Sequence, residues 1–98
     1  MAVMEISVVP LGQGPSISSY VADCIRILKK GKVPYELTAM GTNIQGNLKD
    51  LIKLALQMHE LPFKKGALRV ATTIKIDDRR DREVTIAGKK RAVQRKLR

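Results

Sequence analysis

The sequence predicts an α+β domain of the ferredoxin-like class, with the element order β-α-β-β-α-β, an antiparallel sheet and an extra C-terminal helix. Two strand–helix patterns enclose a pair of short strand-like segments, and these segments meet at a glycine. A chain of 98 residues accommodates one such domain. Since crossovers within a sheet are right-handed, both internal helices should lie on one face of the sheet. We expect the domain over residues 1–82 and a basic helix or tail over residues 83–98.

The first strand–helix unit is indicated by a change from alternating to helical spacing of apolar residues. A strand is expected over Val3–Leu11, with Pro10 at its end, where a missing backbone donor does least harm. Ser16 or Ser18 should cap the following helix, and Gly31 should close it as the C′ residue. The apolar stripe of this helix consists of Ile17, Val21, Cys24 and Leu28.

The central stretch, Tyr35–Gly46, contains both short strands. The first shows strand-like alternation, and the second begins at Thr42, directly after a break at Gly41. Because glycine has no side chain, this break can turn the chain and also leave the backbone open to a small ligand. Asn47 then caps the second helix.

The second helix carries an apolar stripe and contains one proline. Pro62 removes a backbone donor and clashes with a carbonyl one turn earlier, so a kink or an early end is expected, followed by one more turn to Gly66. The last strand is expected over Arg69–Asp77, and a short basic helix from Thr85 on, although Gly88 weakens it. The stripe of the second helix consists of Leu48, Leu51, Ile52, Ala55 and Met58.

Alternation along the strands divides the predicted sheet into a face that meets the helices and an opposite face of mixed polarity. A fully solvated face would not need Val9 and Met40, and a core face would not hold Lys75. A domain of this size is marginal with one sheet face uncovered, so we expect this face to meet a second subunit. The helix side holds Met4, Ile6, Val8, Val70 and Ile74, and the opposite side holds Glu5, Ser7, Val9, Thr38, Met40, Ala71, Thr73 and Lys75.

The composition is that of an ordinary globular chain, with 44% hydrophobic and 29% charged residues. Aromatic residues make up only 3%, which disfavours a nucleic-acid surface that stacks bases. The single cysteine, Cys24, cannot form an internal disulfide, and the first residues lack the basic start of a signal peptide. No apolar run reaches the roughly 18–20 residues that span a bilayer. We therefore expect a cytoplasmic protein that does not enter a membrane.

The formal net charge of +10 is concentrated at the C-terminus. Residues 79–98 hold nine basic and two acidic side chains, whereas residues 1–78 are only mildly basic. The favoured interpretation is a solvated helix that keeps the protein soluble. The alternative is an accessory protein that binds nucleic acid through the phosphates, with this segment as the contact.

No group of residues predicts catalysis or metal binding. His59 is the only histidine and lies beside the apolar stripe of a helix, and Cys24 is expected to be an inert packing residue. Asp77 and Asp78 should point to opposite faces of a strand, so they cannot easily converge on one ion. We therefore expect no enzyme activity, no metal and no cofactor.

The start of the first helix is a candidate for anion binding. The loop 12–14 lies between a strand and a helix, but Ile17 occupies the place of the third glycine of a dinucleotide fingerprint. Free amide groups at the helix start still suit a phosphate, a sulfate or a polar ligand, with Ser16, Ser18 and Ser19 close by. An allosteric or scaffold domain that senses a small anion is therefore an alternative function.

Four segments, in this order, resemble the small prokaryotic thiamine-binding protein family: EISVVPLG, GPSISSYVA, YELTAMGT and RVATTIKIDDRRD. The likeness spans residues 2–82. It implies a ferredoxin-like fold, tetramers built as dimers of dimers, and non-catalytic binding of thiamine or its hydroxymethylpyrimidine part. Pro62 and the strongly basic C-terminus depart from the family pattern.

The resemblance implies ligand-binding positions in three parts of the chain, and we infer roles for them. Tyr20 and Met40 would wall a pyrimidine ring, while serine and threonine hydroxyls would hydrogen-bond to its nitrogen atoms. Asp77 would offset the positive charge of the thiazolium ring. The positions are Pro10, Ser18, Ser19 and Tyr20 in the first unit, Met40, Gly41 and Thr42 at the central break, and Thr73, Lys75 and Asp77 on the last strand.

Overall fold

The computed structural model describes residues 1–98 and contains four strands and three helices in the predicted order. The strands form one antiparallel sheet in the order β2-β3-β1-β4, so each internal helix connects two strands that have one strand between them. This is the predicted ferredoxin-like arrangement. No helix combines the length and apolarity needed to cross a membrane. The elements are β1 (Ala2–Pro10), α1 (Ser18–Lys30), β2 (Tyr35–Leu37), β3 (Thr42–Gly46), α2 (Leu48–Lys64), β4 (Val70–Asp78) and α3 (Ile86–Lys96).

The core lies between β1 and the two internal helices. β1 is paired on both sides, and its residues alternate between a buried and a partly exposed face, as strand geometry requires. Met4, for example, lies opposite Ile44 of β3 and Ile76 of β4. The core is therefore on the predicted side of the sheet. Its members are Ala2, Met4, Ile6 and Val8 of β1, Cys24 and Leu28 of α1, Ile44 of β3, and Leu51, Ala55 and Met58 of α2.

The segment before α3 and the first turns of α3 contact the face of the sheet that lies opposite the core. Val84 is buried, and the backbone amide of Ile86 donates to the side-chain oxygen of Gln45 at 2.9 Å. Thr85 caps the helix by accepting a hydrogen bond from the amide of Gly88 at 2.9 Å. This cap offsets the weakening effect of a glycine near the helix start. Two ion pairs complete the contact, Lys89 with Asp77 and Lys90 with Glu36.

The ends of α1 differ from the sequence prediction. Neither Ser16 nor Ser18 caps the helix, because the N-cap position is Ile17, which has no side-chain acceptor. The hydroxyls of Ser16 and Ser18 lie 3.3 Å from each other instead. At the other end Gly31 occupies the C-cap position in a right-handed conformation, and the left-handed backbone falls on Lys32, with φ of 54°.

The early end that Pro62 predicted for α2 is wrong. The helix continues to Lys64 and ends in a turn at Gly66, whose φ of 100° suits a glycine. Pro62 lies close to the end of the helix, where it removes one backbone hydrogen bond, and its ring is buried in the core. Its carbonyl accepts from the amide of Ala67 at 3.0 Å. At the other end Asn47 caps the helix as predicted.

Candidate functional site

The turn between β2 and β3 is held together by one threonine. β2 ends at Leu37, earlier than the alternation suggested, and the turn consists of residues 38–41. The Thr38 hydroxyl donates to the carbonyl of Gly41 at 2.7 Å and accepts from its amide at 3.1 Å. The backbone amide of Thr38 donates to the same carbonyl at 2.9 Å. The turn is thereby fixed locally, and it projects Met40 outward with 87% of this residue exposed.

Gly41 closes the turn against the central strand. A side chain at this position would bring its Cβ within 3.1 Å of the carbonyl oxygen of Ile6. That neighbour is backbone at the centre of the sheet, and it cannot move aside as a flexible side chain can. The close approach of two backbone segments therefore favours a glycine here.

A partly open cavity, the inner chamber, lies between β1, α1, α2 and the β2–β3 turn. Its volume is about 100 Å³. A dry cavity of about 150 Å³ is known to hold benzene, so the inner chamber must widen, by movement of its walls, before it can take one aromatic ring. Methionine side chains, which are flexible, supply part of those walls. The lining consists of Ile6, Ser7 and Val8, Ile17, Val21 and Cys24, residues 37–42, and Met58.

The lining of the inner chamber carries no charged side chain. Cys24 is its titratable group, and burial raises the pKa of the Cys24 thiol, which therefore stays protonated near neutral pH. An ion inside the chamber would lack a counterion and would be costly to desolvate. A neutral, flat ring suits this environment better.

A wider groove, the outer groove, runs between α1 and the β2–β3 turn and adjoins the inner chamber. Its volume is about 770 Å³. The chamber and the groove share Ile17, Val21, Leu37, Thr38 and Ala39 in their linings. A ligand could therefore place one ring in the chamber and a second group in the groove. The other groove residues are Pro15, Ser16, Ser18, Ala22, Ile25, Arg26 and Lys29.

The structure brings together the predicted binding residues of the central break. Met40, Gly41 and Thr42 line the inner chamber, and Ser18 lines the outer groove. Thr42 is buried, whereas Met40 is exposed at the tip of the turn. Met40 had been expected on the open face of the sheet, but the turn directs it to the chamber side because β2 ends before it.

The other predicted residues of the first unit lie outside both spaces. Pro10 is buried at the end of β1, and Ser19 is exposed on α1. The hydroxyl of Tyr20 donates to the side chain of Gln13 at 3.2 Å, and the ammonium group of Lys65 lies 5.6 Å from the centre of the Tyr20 ring. Tyr20 is therefore engaged with neighbouring surface side chains and does not wall the chamber.

The predicted residues of β4 lie on the opposite face of the sheet from the inner chamber. Thr73 is paired with Ser7, and Lys75 with Glu5, so alternation directs them away from the helices. Asp77 forms an ion pair with Lys89 of α3. These three residues therefore do not converge with those of the β2–β3 turn in one protomer, and their part in ligand binding stays a prediction. Lys75 and Asp77 line a separate, charged cleft with Val3, Glu5, Glu36, Asn43, Ile76, Ile86, Lys89 and Lys90.

Several chamber residues were missed by sequence reasoning. Val21, Cys24 and Met58 belong to the apolar stripes of α1 and α2, and such stripes predict core packing. Spacing alone does not distinguish a stripe residue that fills the core from one that borders a cavity. The glycine at the break was the one local signal of a backbone open to a ligand.

Comparison with known proteins shows which family this chain resembles. The chain matches a family model described as thiamine-binding protein over residues 4–94. The UPF0045 protein YqgV of Bacillus subtilis is 45% identical over 102 residues, which covers 99% of this chain and 98% of that protein. The UPF0045 protein MJ1052 of Methanocaldococcus jannaschii is 38% identical over 91 residues, which covers 93% of this chain and 90% of that protein.

Solved structures share the fold. The crystal structure of the hypothetical protein MJ1052 has a TM-score of 0.86 with this chain, at 38% identity and 95% coverage of each chain. A Thermotoga maritima protein, proposed to act in thiamine biosynthesis or salvage, has a TM-score of 0.78 and covers 94% of this chain and 97% of its own. It is only 17% identical, so this second likeness shows the fold alone.

Proposed function

The chain belongs to the thiamine-binding protein family, and from this premise we propose that it binds thiamine or its hydroxymethylpyrimidine part. The observation that carries the proposal is the inner chamber, an uncharged and mostly apolar cavity of about 100 Å³. The hydroxyl-bearing residues Thr38 and Thr42 contribute to its lining. A pyrimidine is a flat ring whose nitrogen atoms exchange hydrogen bonds, so it needs apolar walls and a few polar partners.

Thiamine would occupy both spaces, since the inner chamber has room for a single ring. Its pyrimidine is neutral and would enter the chamber, where no charged group is present. Its second ring would lie in the outer groove, next to Ala39 at the boundary of the two spaces. Free hydroxymethylpyrimidine would need the chamber alone.

We propose that the protein binds this ligand without transforming it. The chamber lining contains no carboxylate, histidine or lysine that could act as a general acid or base. Its thiol, on Cys24, is kept protonated by burial and is therefore a poor nucleophile. The unpaired state of this cysteine also fits a location in the cytoplasm.

We further propose that the protein works as a homo-oligomer, a tetramer built from two dimers. One protomer buries only 15 of its 98 residues, which leaves a small core. Apolar side chains remain exposed along one side of α2 and on β4, an edge strand of the sheet. A second copy covering this surface would bury it. The exposed residues are Ile52, Leu56, Phe63 and Ile74. The open sheet face around Val9 and Ala71 would form the other contact.

Calorimetric titration of the intact protein with thiamine and with hydroxymethylpyrimidine tests the ligand proposal. We expect dissociation constants below the millimolar range. The variant Ala39→Phe should weaken binding by at least about tenfold, because its ring would fill the boundary between chamber and groove. Ala87→Phe, on the exposed surface of α3, is the matched control and should leave affinity unchanged. If neither ligand binds below millimolar, the proposal is rejected.

Nucleic-acid binding is a second candidate function, favoured by unpaired basic side chains on and before α3. Five basic side chains in this segment form no ion pair within the protomer: Arg82, Arg91, Arg95, Lys96 and Arg98. Deleting the segment would also remove Val84, which is buried, and could destabilise the fold. Substitution of exposed basic residues is therefore the cleaner test. Replacing Arg91, Arg95 and Arg98 with Gln should abolish a salt-sensitive affinity for duplex DNA or RNA. Unchanged affinity in this variant would reject the candidate.

A further inference from the structure

The outer groove carries an uncompensated positive charge. Arg26 and Lys29 are the charged residues among the twelve that line it, and no carboxylate is present in the lining. The two residues lie three positions apart on α1, so both side chains leave the helix on the same side. The side chain of Arg26 is 72% exposed, and Lys29 is exposed as well.

Nearby acidic groups neutralise this charge only in part. Asp23 pairs with Arg26, but it also pairs with Lys65, so these three groups together keep one positive charge. Lys29 makes no ion pair within the protomer. A lysine in the last turn of a helix interacts favourably with the helix dipole, and this interaction explains in part why a basic residue occupies position 29. The dipole does not account for Arg26, which lies a turn earlier in the same groove.

Arg26 and Lys29 line the same groove as Val21 and Ala39, which also border the inner chamber. At 3.6 residues per turn, Lys29 lies about 80° around the helix axis from Val21, and Arg26 about 140°. The guanidinium of Arg26 contacts Asp23 in the structure, so it would turn from this carboxylate to reach a ligand in the groove. Lys29 makes no such pair and is free to turn toward the opening of the chamber.

The charge of the groove selects among ligands that share a pyrimidine ring. A cationic thiazolium ring in the groove would lie beside like charges without a carboxylate to offset them. A phosphate group there would receive charge-assisted hydrogen bonds from the guanidinium and ammonium groups. We propose that the outer groove binds the phosphate of a phosphorylated ligand whose pyrimidine ring occupies the inner chamber. This proposal rests on the proposed function of the same site.

Two pairs of ligands test the phosphate site by calorimetry on the intact protein. One pair is hydroxymethylpyrimidine and its phosphate ester, and the other is thiamine and thiamine monophosphate. We expect the ester to bind at least about tenfold more tightly than its parent in one pair or both, because hydrogen bonds to charged groups are worth at least that factor. This advantage should shrink as the salt concentration rises. The ligand pair in which the ester binds more tightly than its parent identifies which phosphorylated compound the groove recognises.

Charge-removing variants locate the effect. In the double variant Arg26→Gln/Lys29→Gln the ester should lose its advantage over the parent. Hydroxymethylpyrimidine, which needs the chamber alone, should bind as in the unmodified protein, and thiamine should bind no more weakly because like charges have been removed from the groove. The double variant Lys30→Gln/Lys53→Gln removes the same charge from exposed positions outside the groove and should keep the advantage. Equal affinity of ester and parent in both pairs, or an advantage that survives Arg26→Gln/Lys29→Gln, overturns the phosphate site alone. If none of the four ligands binds, the proposed function falls with it.

Discussion

Single residues around the β2–β3 turn determine whether the inner chamber exists. Thr38 fixes the turn with its hydroxyl, and Gly41 allows the turn to approach the backbone of Ile6. Cys24 contributes a small apolar wall from the opposite side. The chamber is therefore a consequence of small side chains at points where two backbone segments and a helix meet.

Replacing Thr38 with Val should loosen the turn. The change keeps the shape of the side chain but removes two hydrogen bonds with the backbone of Gly41, so we expect the free energy of unfolding to fall by about 1–2 kcal/mol. Thr38→Ser keeps the hydroxyl and should lose much less. Urea denaturation of both variants measures the difference. A Thr38→Val protein as stable as the unmodified one would show that the turn does not depend on this hydroxyl.

Cys24 should report on occupancy of the chamber. Because burial raises the pKa of its thiol, Cys24 should react with iodoacetamide more slowly in the folded protein than in urea. Saturating hydroxymethylpyrimidine should slow the reaction further, since the ring would cover the sulfur. Mass spectrometry of the labelled chain follows both rates. A rate that is unchanged by a ligand shown to bind would place that ligand outside the chamber.

At the scale of elements, α3 is attached to the sheet by charged groups. Hydrogen bonds from Lys90 and Asn43 lower the pKa of the Glu36 carboxyl. A lowered pKa in the folded state stabilises the contact above the pKa of the unfolded chain, and this contribution is lost as the pH falls through the folded value. Attachment of α3 should therefore weaken in acid and persist at neutral pH.

Hydrogen exchange measures this attachment. Protection factors of the α3 amides should fall in acid, as the pH drops through the lowered pKa of the Glu36 carboxyl. Glu36→Gln should lower them at neutral pH, because the ion pair with Lys90 is lost. Glu60→Gln, at an exposed position of α2, is the matched control. Equal protection in Glu36→Gln and in the control would show that α3 is held by the burial of Val84 rather than by charge.

Elements could be predicted from the sequence where the local pattern and the tertiary packing agree. The alternation of β1 and the stripe of α2 each have one buried face, so spacing identified both. The predictions failed where packing overrides a local rule. Pro62 did not end α2 because its ring is buried near the helix terminus, and α1 begins at Ser18, after an N-cap residue, Ile17, that has no side-chain acceptor.

The site was predictable only in part, for a physical reason. Gly41 marks a close backbone approach, and such an approach leaves a trace in the sequence, whereas Met40 and Thr42 were named with it through the family resemblance. The inner chamber is a gap between elements, and residues that border a gap have the same spacing as residues that fill a core. The family resemblance implied Thr73 and Lys75 as binding positions, and alternation placed them on one face of the sheet with Met40. The turn that carries Met40 lies beyond the end of β2, so it does not share that face.

At the scale of the whole molecule, the exposed apolar side chains should direct assembly. Light scattering after size exclusion should give a mass that is a multiple of 10.9 kDa, four times this value for the proposed tetramer. Leu56 is 61% exposed at the centre of the apolar side of α2, and Leu56→Glu should reduce the mass to that of a smaller species. Leu68→Glu, at a fully accessible leucine outside this surface, is the control. A 10.9 kDa particle for the unmodified protein would reject the oligomer.

A crystal structure of the protein grown with hydroxymethylpyrimidine tests the assignment of the inner chamber most directly. We expect density for one planar ring between Cys24 and Thr42, with Met40 moved over it. With the phosphate ester, additional density should extend toward Arg26. A ring bound instead on the open face of the sheet beside Lys75, or an empty chamber at a saturating concentration of ligand, would contradict the assignment.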